Sequence, residues 1–383
     1  MTNEHTFPLI LVDTEGSDEK LFEHIERAIL AGAKSLLILA CDANAFTSNQ
    51  LNARLQRIPI PVFGGIFPEI VAGRSKLVRG SIVCGLDVVA SVYHIENLSD
   101  PNEDYLVHAE QLVAATVPGA TLVTLVDGLS QCISTFLEHL YEALGARNQY
   151  IGGGAGSLSL VQKPCLFSNQ GLRQDCAQIA VIDWPISIGI EHGWKKFAGP
   201  FFVTGAHDNT ITSLDYRPAF EVYREEIEAD SHRRFSRTNF HELAKAYPFG
   251  LERLKGSVVV RDPLRHEGNN LVCIGEVPAN HIIYLLKGDA ESLLAASSQC
   301  ALYACVQVRP KVALLFDCIS RVLFLQDRFT EEIDNILDVL PDNVPLIGVL
   351  SLGEIADAGH TCLEFFNKTT VLGVLGAGEE ECA

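Results

Sequence analysis

The residues whose types could do chemistry fall at the ends of apolar segments. Three such segments each run into an aspartate: LLILACDAN (36–44), LVTLVDGLS (122–130) and VALLFDCIS (312–320), which give Asp42, Asp127 and Asp317. In a parallel or mixed sheet these ends would lie at the edge where ligands bind. After the second segment comes Gly152-Gly153-Gly154-Ala155-Gly156-Ser157. Such glycines let a backbone approach a ligand closely and offer N–H groups to an anion. The same string also suits a tight strand-to-loop turn. It reads GxGxxS and no Walker-A lysine follows, so a P-loop is excluded and the dinucleotide fingerprint is incomplete. WPISIGIEHGW (184–194) holds both tryptophans and His192. His192 and Trp194 could hold a small planar ligand, or the indoles could fill a structural corner. Ser351 and the pair Gly353-Glu354 follow a third apolar strand, where the carboxylate could pair a cation or cap a turn.

Other chemistries leave weaker marks. The chain has 12 histidines and 11 cysteines. No histidine shows HxxxH or HExxH spacing, no CxxC pair occurs and no CxxCH haem attachment site exists. Non-covalent haem needs a single axial histidine, which no spacing rule identifies, so haem stays open as a cofactor. Cys41, Cys132 and Cys318 lie close to the strand-end aspartates, so a thiol-dependent hydrolase is an alternative, although no triad-like spacing supports one.

These groups must be positioned by alternating strands and helices. The pattern predicts strands at 7–12, 36–40 and 82–92, the last bent at Gly85, and a helix capped by Ser17 or Asp18. Asp100-Pro101 is expected to open another helix. Short strands fill 162–214, and Pro218 starts a helix. The fold class expected is α/β, with two lobes of mixed, partly parallel sheets flanked by helices. The three aspartate segments share one grammar of strand, turn, helix and short strand entering glycine (Gly64, Gly152, Gly348), an internal βαβ-like repeat. The domains expected are 1–217 and 218–375, with a loose tail at 376–383. The chain has 383 residues and a net charge of −19. Such a field repels nucleic acid and anionic lipid, so neither partner is expected. The N-terminus lacks a signal-peptide pattern and the apolar runs are far too short for a membrane span, so reduced cysteines in a cytoplasmic protein are expected.

Motifs from both halves together resemble the FIST family. They are VDGLS (126–130), YIGGGAG (150–156), IGIEHGW (188–194) and RPAFEVYREE (217–226). The later half adds AYPFGLER (246–253), GEVPANHIIYLLKGDAESLLAA (275–296), LLFDCISR (314–321), LGEI (352–355) and FFNKTTVLGVL (365–375). The resemblance runs from residue 30 to 375 and covers both the N-terminal and C-terminal domains of that family. It implies a sensor in bacterial-type signal transduction that binds a small ligand, amino acids being the family-level proposal, and it implies no catalysis. Some relatives resemble haem-based nitric oxide sensors that act on a histidine kinase or a cyclic-di-GMP enzyme, so a separate partner of that kind is expected. The sequence departs from the family pattern at Ser351, Leu352 and Ala356 and in FGGIFPEI (63–70), which makes the expected pocket more apolar. The ligand is then expected between the lobes. Asp127, Gly152, Gly153 and Gly154 would hold it from one side, and Asp317, Ser351, Gly353 and Glu354 from the other. His192 and Trp194 would lie nearby.

Overall fold

Three stretches of chain repeat one order of elements. The first contains β1 (Leu9–Asp13), α1 (Asp18–Leu30), β2 (Ser35–Cys41), α2 (Ser48–Leu55), β3 (Val62–Phe67), a hairpin of β4 (Glu69–Ala72) and β5 (Ser75–Leu77), and β6 (Ser81–Leu86). The second contains β7 (Ser91–Glu96), α3 (Tyr105–Val113), β8 (Thr121–Asp127), α4 (Ile133–Leu144), β9 (Gln149–Ala155), a hairpin of β10 (Leu166–Ser168) and β11 (Gly171–Arg173), and β12 (Cys176–Ile182). The third opens with β13 (Ile186–Glu191) and is interrupted by an insertion: β14 (Lys195–His207), β15 (Thr210–Leu214), β16 (Arg217–Pro218), α5 (Ala219–Ser231), α6 (Phe240–Ala244), β17 (Phe249–Glu252), β18 (Val258–Glu267), β19 (Asn270–Ile274) and β20 (Ile282–Lys287). It resumes with α7 (Ala290–Ala304), β21 (Arg309–Cys318), α8 (Ile319–Leu325), α9 (Phe329–Leu337), β22 (Leu346–Ser351), a hairpin of β23 (Glu354–Asp357) and β24 (Leu363–Phe366), and β25 (Thr370–Ala377). The computed structural model describes residues 7–114, 116–236, 238–253, 258–305, 309–357 and 363–377.

Each unit builds the same sheet. β2 pairs β3, β8 pairs β9 and β21 pairs β22, all parallel, as helical crossovers require. The hairpin then leaves its own sheet and joins a neighbour's: β4 pairs β22, β10 pairs β3 and β23 pairs β9. Three six-stranded sheets result, in the orders β1-β6-β2-β3-β10-β11, β7-β12-β8-β9-β23-β24 and β13-β25-β21-β22-β4-β5. The glycines aligned from sequence occupy one register in all three: Gly64 faces Ile38, Gly152 faces Thr124 and Gly348 faces Leu315. A Cβ at Gly64 would lie 1.9 Å from Ile38 O, and one at Gly152 would lie 1.7 Å from Thr124 O. Only glycine lets the two strands approach so closely. Where the units converge, Leu37, Val123 and Leu314, at equivalent registers, help line an apolar cavity of about 20 Å³. With no polar partner for a water it stays dry.

The insertion is a separate layer. β14, β20, β17, β18, β19 and β15 pair in that order, and β15 pairs back to β14, so an antiparallel barrel closes. Its core packs Phe201, Ile211, Phe249 and Ile283 against Tyr223 and Ile227 of α5. Residue 217 lies in β16 of this barrel, and two of the three repeat sheets hold strands from both sides of it.

Several local expectations are corrected. Residues 82–92 form two strands, β6 and β7, broken at Asp87–Ala90, and not one bent strand. The helix after Asp100-Pro101 begins at Tyr105, because Asp104 supplies its cap by accepting from Val107 N–H. Gly376 and Ala377 finish β25 rather than opening a loose tail, and residues 378–383 lie outside the described ones. The aspartates are not equivalent by register: Asp317 pairs Leu350 and Asp127 pairs Ala155, while Asp42 lies beyond the last β2–β3 pair. Among the described residues no helix is long and apolar enough to cross a membrane.

Candidate functional site

The exchanged hairpins bring the carboxyl ends of the three parallel pairs together. Gly154 N–H donates to Gly353 O at 2.8 Å, Leu352 N–H donates to Gly154 O at 2.9 Å, and Gly156 N–H donates to Ile66 O at 2.8 Å. Gly153 faces Glu354 and Gly152 faces Ile355 in the β9–β23 ladder. A Cβ on Gly153 would come within 2.9 Å of Gly353 O. The glycine string is therefore a backbone junction. Its expected role as an anion cradle is corrected for Gly154, whose N–H already has a protein acceptor.

Asp127 lies at the same strand ends, but its carboxylate serves its own sheet. It accepts from Gln162 Nε2 and Asp175 N–H, both at 2.8 Å, and from Leu129 N–H at 3.2 Å. Trp194 is buried, with Nε1–H donating to Lys368 O at 3.1 Å, and its own N–H donates to His192 Nδ1 at 2.9 Å. Trp184 is buried as well. The corner reading holds for both indoles.

Around Asp317 the structure assembles a charged centre that the sequence reading missed in part. Asp317, Arg321, Glu332 and Glu354 are all fully buried. Arg321 Nε lies 3.3 Å from Asp317 Oδ1 and donates to Glu332 Oε1 at 2.9 Å, and Nη2 pairs the same Glu332 oxygen. Nη1 donates to His192 O at 2.7 Å, and Nη2 to Leu293 O at 3.1 Å. Thr370 Oγ1 lies 3.0 Å from both Asp317 Oδ1 and Glu332 Oε1. Ser351 Oγ donates to Glu354 Oε1 at 2.8 Å. The one legible signal for Arg321 was its position four residues after Asp317, across the β21–α8 junction.

Two carboxylates share one guanidinium here. Burial first, and then Glu332, push the Asp317 carboxyl well above its ordinary value, against the pull of Arg321. Burial also pushes Glu354 well above its ordinary value, and Asp317 adds to the effect. The folded chain thus keeps protons that the unfolded chain releases near the ordinary Asp value of 3.8. Stability from these groups is fully present below that pH and is lost as pH rises toward the folded value. Asp317→Asn removes the titration, so its stability relative to the parent is expected to improve steadily from pH 4 to pH 8. Urea unfolding across that range checks this, and parallel pH curves for the two proteins would count against a neutral Asp317.

A second buried pair ties the barrel to this centre. Lys368 Nζ lies 3.1 Å from Asp262 Oδ2 and donates to Lys245 O at 3.1 Å, while Ser320 Oγ donates to Asp262 Oδ2 at 2.9 Å.

The open volume lies on the flank of the same seam. A cleft of about 450 Å³ runs between the start of α4, the end of β14, the barrel strands and β24. Ser134, Thr135 and Glu138 line one wall, Arg253, Arg261 and Glu276 another, and Glu364 a third. Arg261 is only 3% exposed. Its Nε donates to Glu276 O at 2.8 Å, and its Nη1 to Phe365 O at 3.0 Å and Val260 O at 3.1 Å. Nη2 has no partner among the described residues. Glu276 is half-buried and its carboxylate accepts no hydrogen bond from a described residue. Burial, and then the Glu138 carboxylate, push the Glu276 carboxyl up, against Arg261. The cleft was invisible to sequence reasoning, and its walls are charged.

Haem does not fit this cleft. A porphyrin needs broad apolar walls and an axial ligand, whereas this cleft presents carboxylates and guanidiniums, and its His207 is exposed beside Asp208 at 3.1 Å. His192 is half-buried and its Nδ1 is already bonded to Trp194 N–H. The strand-end thiols are poor nucleophiles: burial pushes Cys41 up to about 12, and Cys318 well above the ordinary thiol value. No group of three or more His, Cys, Asp or Glu suited to a metal occurs among the described residues.

Comparison with known families matches the model of the FIST N domain over residues 35–217 and that of the FIST C domain over residues 219–357. No curated protein matches the chain.

Proposed function

Because the chain belongs to the FIST family of signal-transduction sensors, we propose that its small ligand is a zwitterion of the amino-acid class and occupies the cleft beside α4. One observation carries this reading. Groups of opposite charge with no hydrogen-bond partner among the described residues, the Glu276 carboxylate and Arg261 Nη2, line the same volume of about 450 Å³. An ammonium group would sit between Glu138 and Glu276. A carboxylate would meet Arg261 and the unpaired N–H groups of the first α4 turn, near Ser134 and Thr135. The strand-end residues Asp317, Ser351 and Glu354 would then hold the walls in place without touching the ligand. Ligand occupancy would change how the barrel sits on the repeat core, and a separate signalling protein, a histidine kinase first among the candidates, would read that change. The described cysteines are unbridged, which supports a reducing, cytoplasmic setting.

The test is a calorimetric screen of the amino acids, followed by Glu276→Gln. The substitution keeps the shape and removes the charge, and losing a charge-assisted hydrogen bond of this kind is expected to weaken binding about tenfold or more. Saturable binding with that loss supports the assignment. No binding by any amino acid, or equal affinity in the parent, Glu276→Gln and Glu138→Gln, rejects it.

A further inference from the structure

Charge in the cleft beside α4 is unevenly balanced. Arg253 and Glu364 pair with each other. Arg261 lines the cleft, is 3% exposed, and has no hydrogen-bond partner for its Nη2 among the described residues. Against this one guanidinium the cleft sets three further carboxylates: Glu138 of α4, Glu276 between β19 and β20, and Asp208 in the β14–β15 turn. Backbone bonds hold the last two segments together. Val277 N–H donates to Asp208 O at 3.0 Å, and Cys273 N–H donates to Asn209 O at 2.8 Å. Burial first and then Glu138 push the Glu276 carboxyl up, against Arg261, and Asp208 adds to the push. Carboxylates gathered in this way resist ionising together, and a cation among them relieves the repulsion. His207 Nε2 lies 3.1 Å from Asp208 Oδ2, but these side chains are 88% and 76% exposed, so water screens the contact.

We propose that the ligand is a basic amino acid, with a second cation at the end of its side chain, and that Asp208 selects it. This rests on the reading of the cleft as an amino-acid site and keeps the same placement. The α-ammonium lies between Glu138 and Glu276, and the α-carboxylate meets Arg261 and the first turn of α4. The side chain then runs toward exposed Asp208, which receives its terminal ammonium or guanidinium. Ala206, Val277 and Pro278 line the same volume and suit the methylene stem of such a side chain. A volume of about 450 Å³ has room for that length. An amino acid with a neutral side chain would leave the surplus of carboxylates uncompensated. A diamine would leave Arg261 Nη2 unmet, on a side chain almost wholly withdrawn from water. Asp208 is thus a specificity-determining residue.

The probes are two pairs alike in shape but not in terminal charge, L-lysine with L-norleucine and L-arginine with L-citrulline. The decarboxylated forms of lysine and arginine complete the set. Each is titrated by calorimetry into the full chain, into Asp208→Asn and into Glu276→Gln. In at least one pair the basic member is expected to bind about tenfold or more tighter than its neutral partner, the usual worth of a charge-assisted contact. Its decarboxylated form should be weaker by a similar factor. Asp208 has a left-handed backbone, with φ at 51°, which asparagine also adopts. Asp208→Asn should therefore fold, and it should narrow the basic-to-neutral ratio by about threefold to fivefold, the scale of an exposed ion pair. A ratio within twofold in both pairs, a ratio unchanged in Asp208→Asn, or a decarboxylated form that binds as tightly as its parent overturns the proposal. If norleucine and citrulline bind as well as the basic members and lose affinity in Glu276→Gln, the proposal fails while the amino-acid reading of the cleft stands. If none of the four amino acids binds, both fall.

Discussion

Replacing Arg321 by methionine is expected to destabilise the protein by about 3–5 kcal/mol, because it removes one partner of a buried ionic cluster and leaves the others in place. Arg321 faces Asp317 and Glu332 in a region where none of the three side chains reaches water. Its guanidinium also holds the backbone carbonyls of His192 and Leu293, which come from β13's exit and from α7. Methionine fills a similar length of space but donates nothing, so two carboxyl groups and two carbonyls lose a donor together. Lysine should recover only part of the loss, since a single ammonium cannot span acceptors on three elements. Chemical denaturation of the three proteins at pH 7 gives the comparison. A loss below about 1 kcal/mol for methionine would falsify the view that this centre is held by its charge.

Gly152→Ala should be worse tolerated than a usual core substitution. The added Cβ would lie 1.7 Å from Thr124 O, a backbone atom of the parallel neighbour that cannot swing aside. Overpacking ordinarily costs about 1–3 kcal/mol. Here both strands must part, and β23 on the other side of β9 must follow, so the expected cost exceeds about 4 kcal/mol, at the exceptional end for single substitutions. Gly119→Ala is the natural comparison. It has positive φ but nothing within 4 Å, so it should cost about 1 kcal/mol from backbone strain alone. Thermal melts of both proteins decide the point, and equal melting temperatures would show that the β8–β9 approach is softer than its geometry implies.

The sequence carried much of the fold through local signals. Strand and helix periodicity located most elements, and Gly64, Gly152 and Gly348 marked a common register because close strand approach requires a residue without Cβ. The aspartates misled. They sit near the strand ends for different reasons, Asp317 as a partner of Arg321 and Asp127 as an acceptor for Gln162, and no shared register underlies the resemblance. Of the expected site residues, Asp317, Ser351 and Glu354 do meet, joined to His192 through Arg321. The cleft could not be read at all. Its walls come from α4, β14, β17, β18 and β24, and only two events of topology bring these together, the exchange of hairpins between sheets and the insertion of a barrel after β13. Neither leaves a local pattern, since periodicity reports which face of an element is buried and not what buries it.

The hairpin exchange also sets a timetable for synthesis. β4 and β5 leave the ribosome early, but their partner β22 emerges only after most of the chain has been made. At about 5–20 residues per second the wait lasts tens of seconds. During that time Ile70 and Val71, both buried in the finished fold, sit on an unpaired strand edge, the kind of surface that invites pairing with another chain. The nascent protein is thus a natural client for a holding chaperone, and its first unit should aggregate when made alone, since only the last unit can cover it.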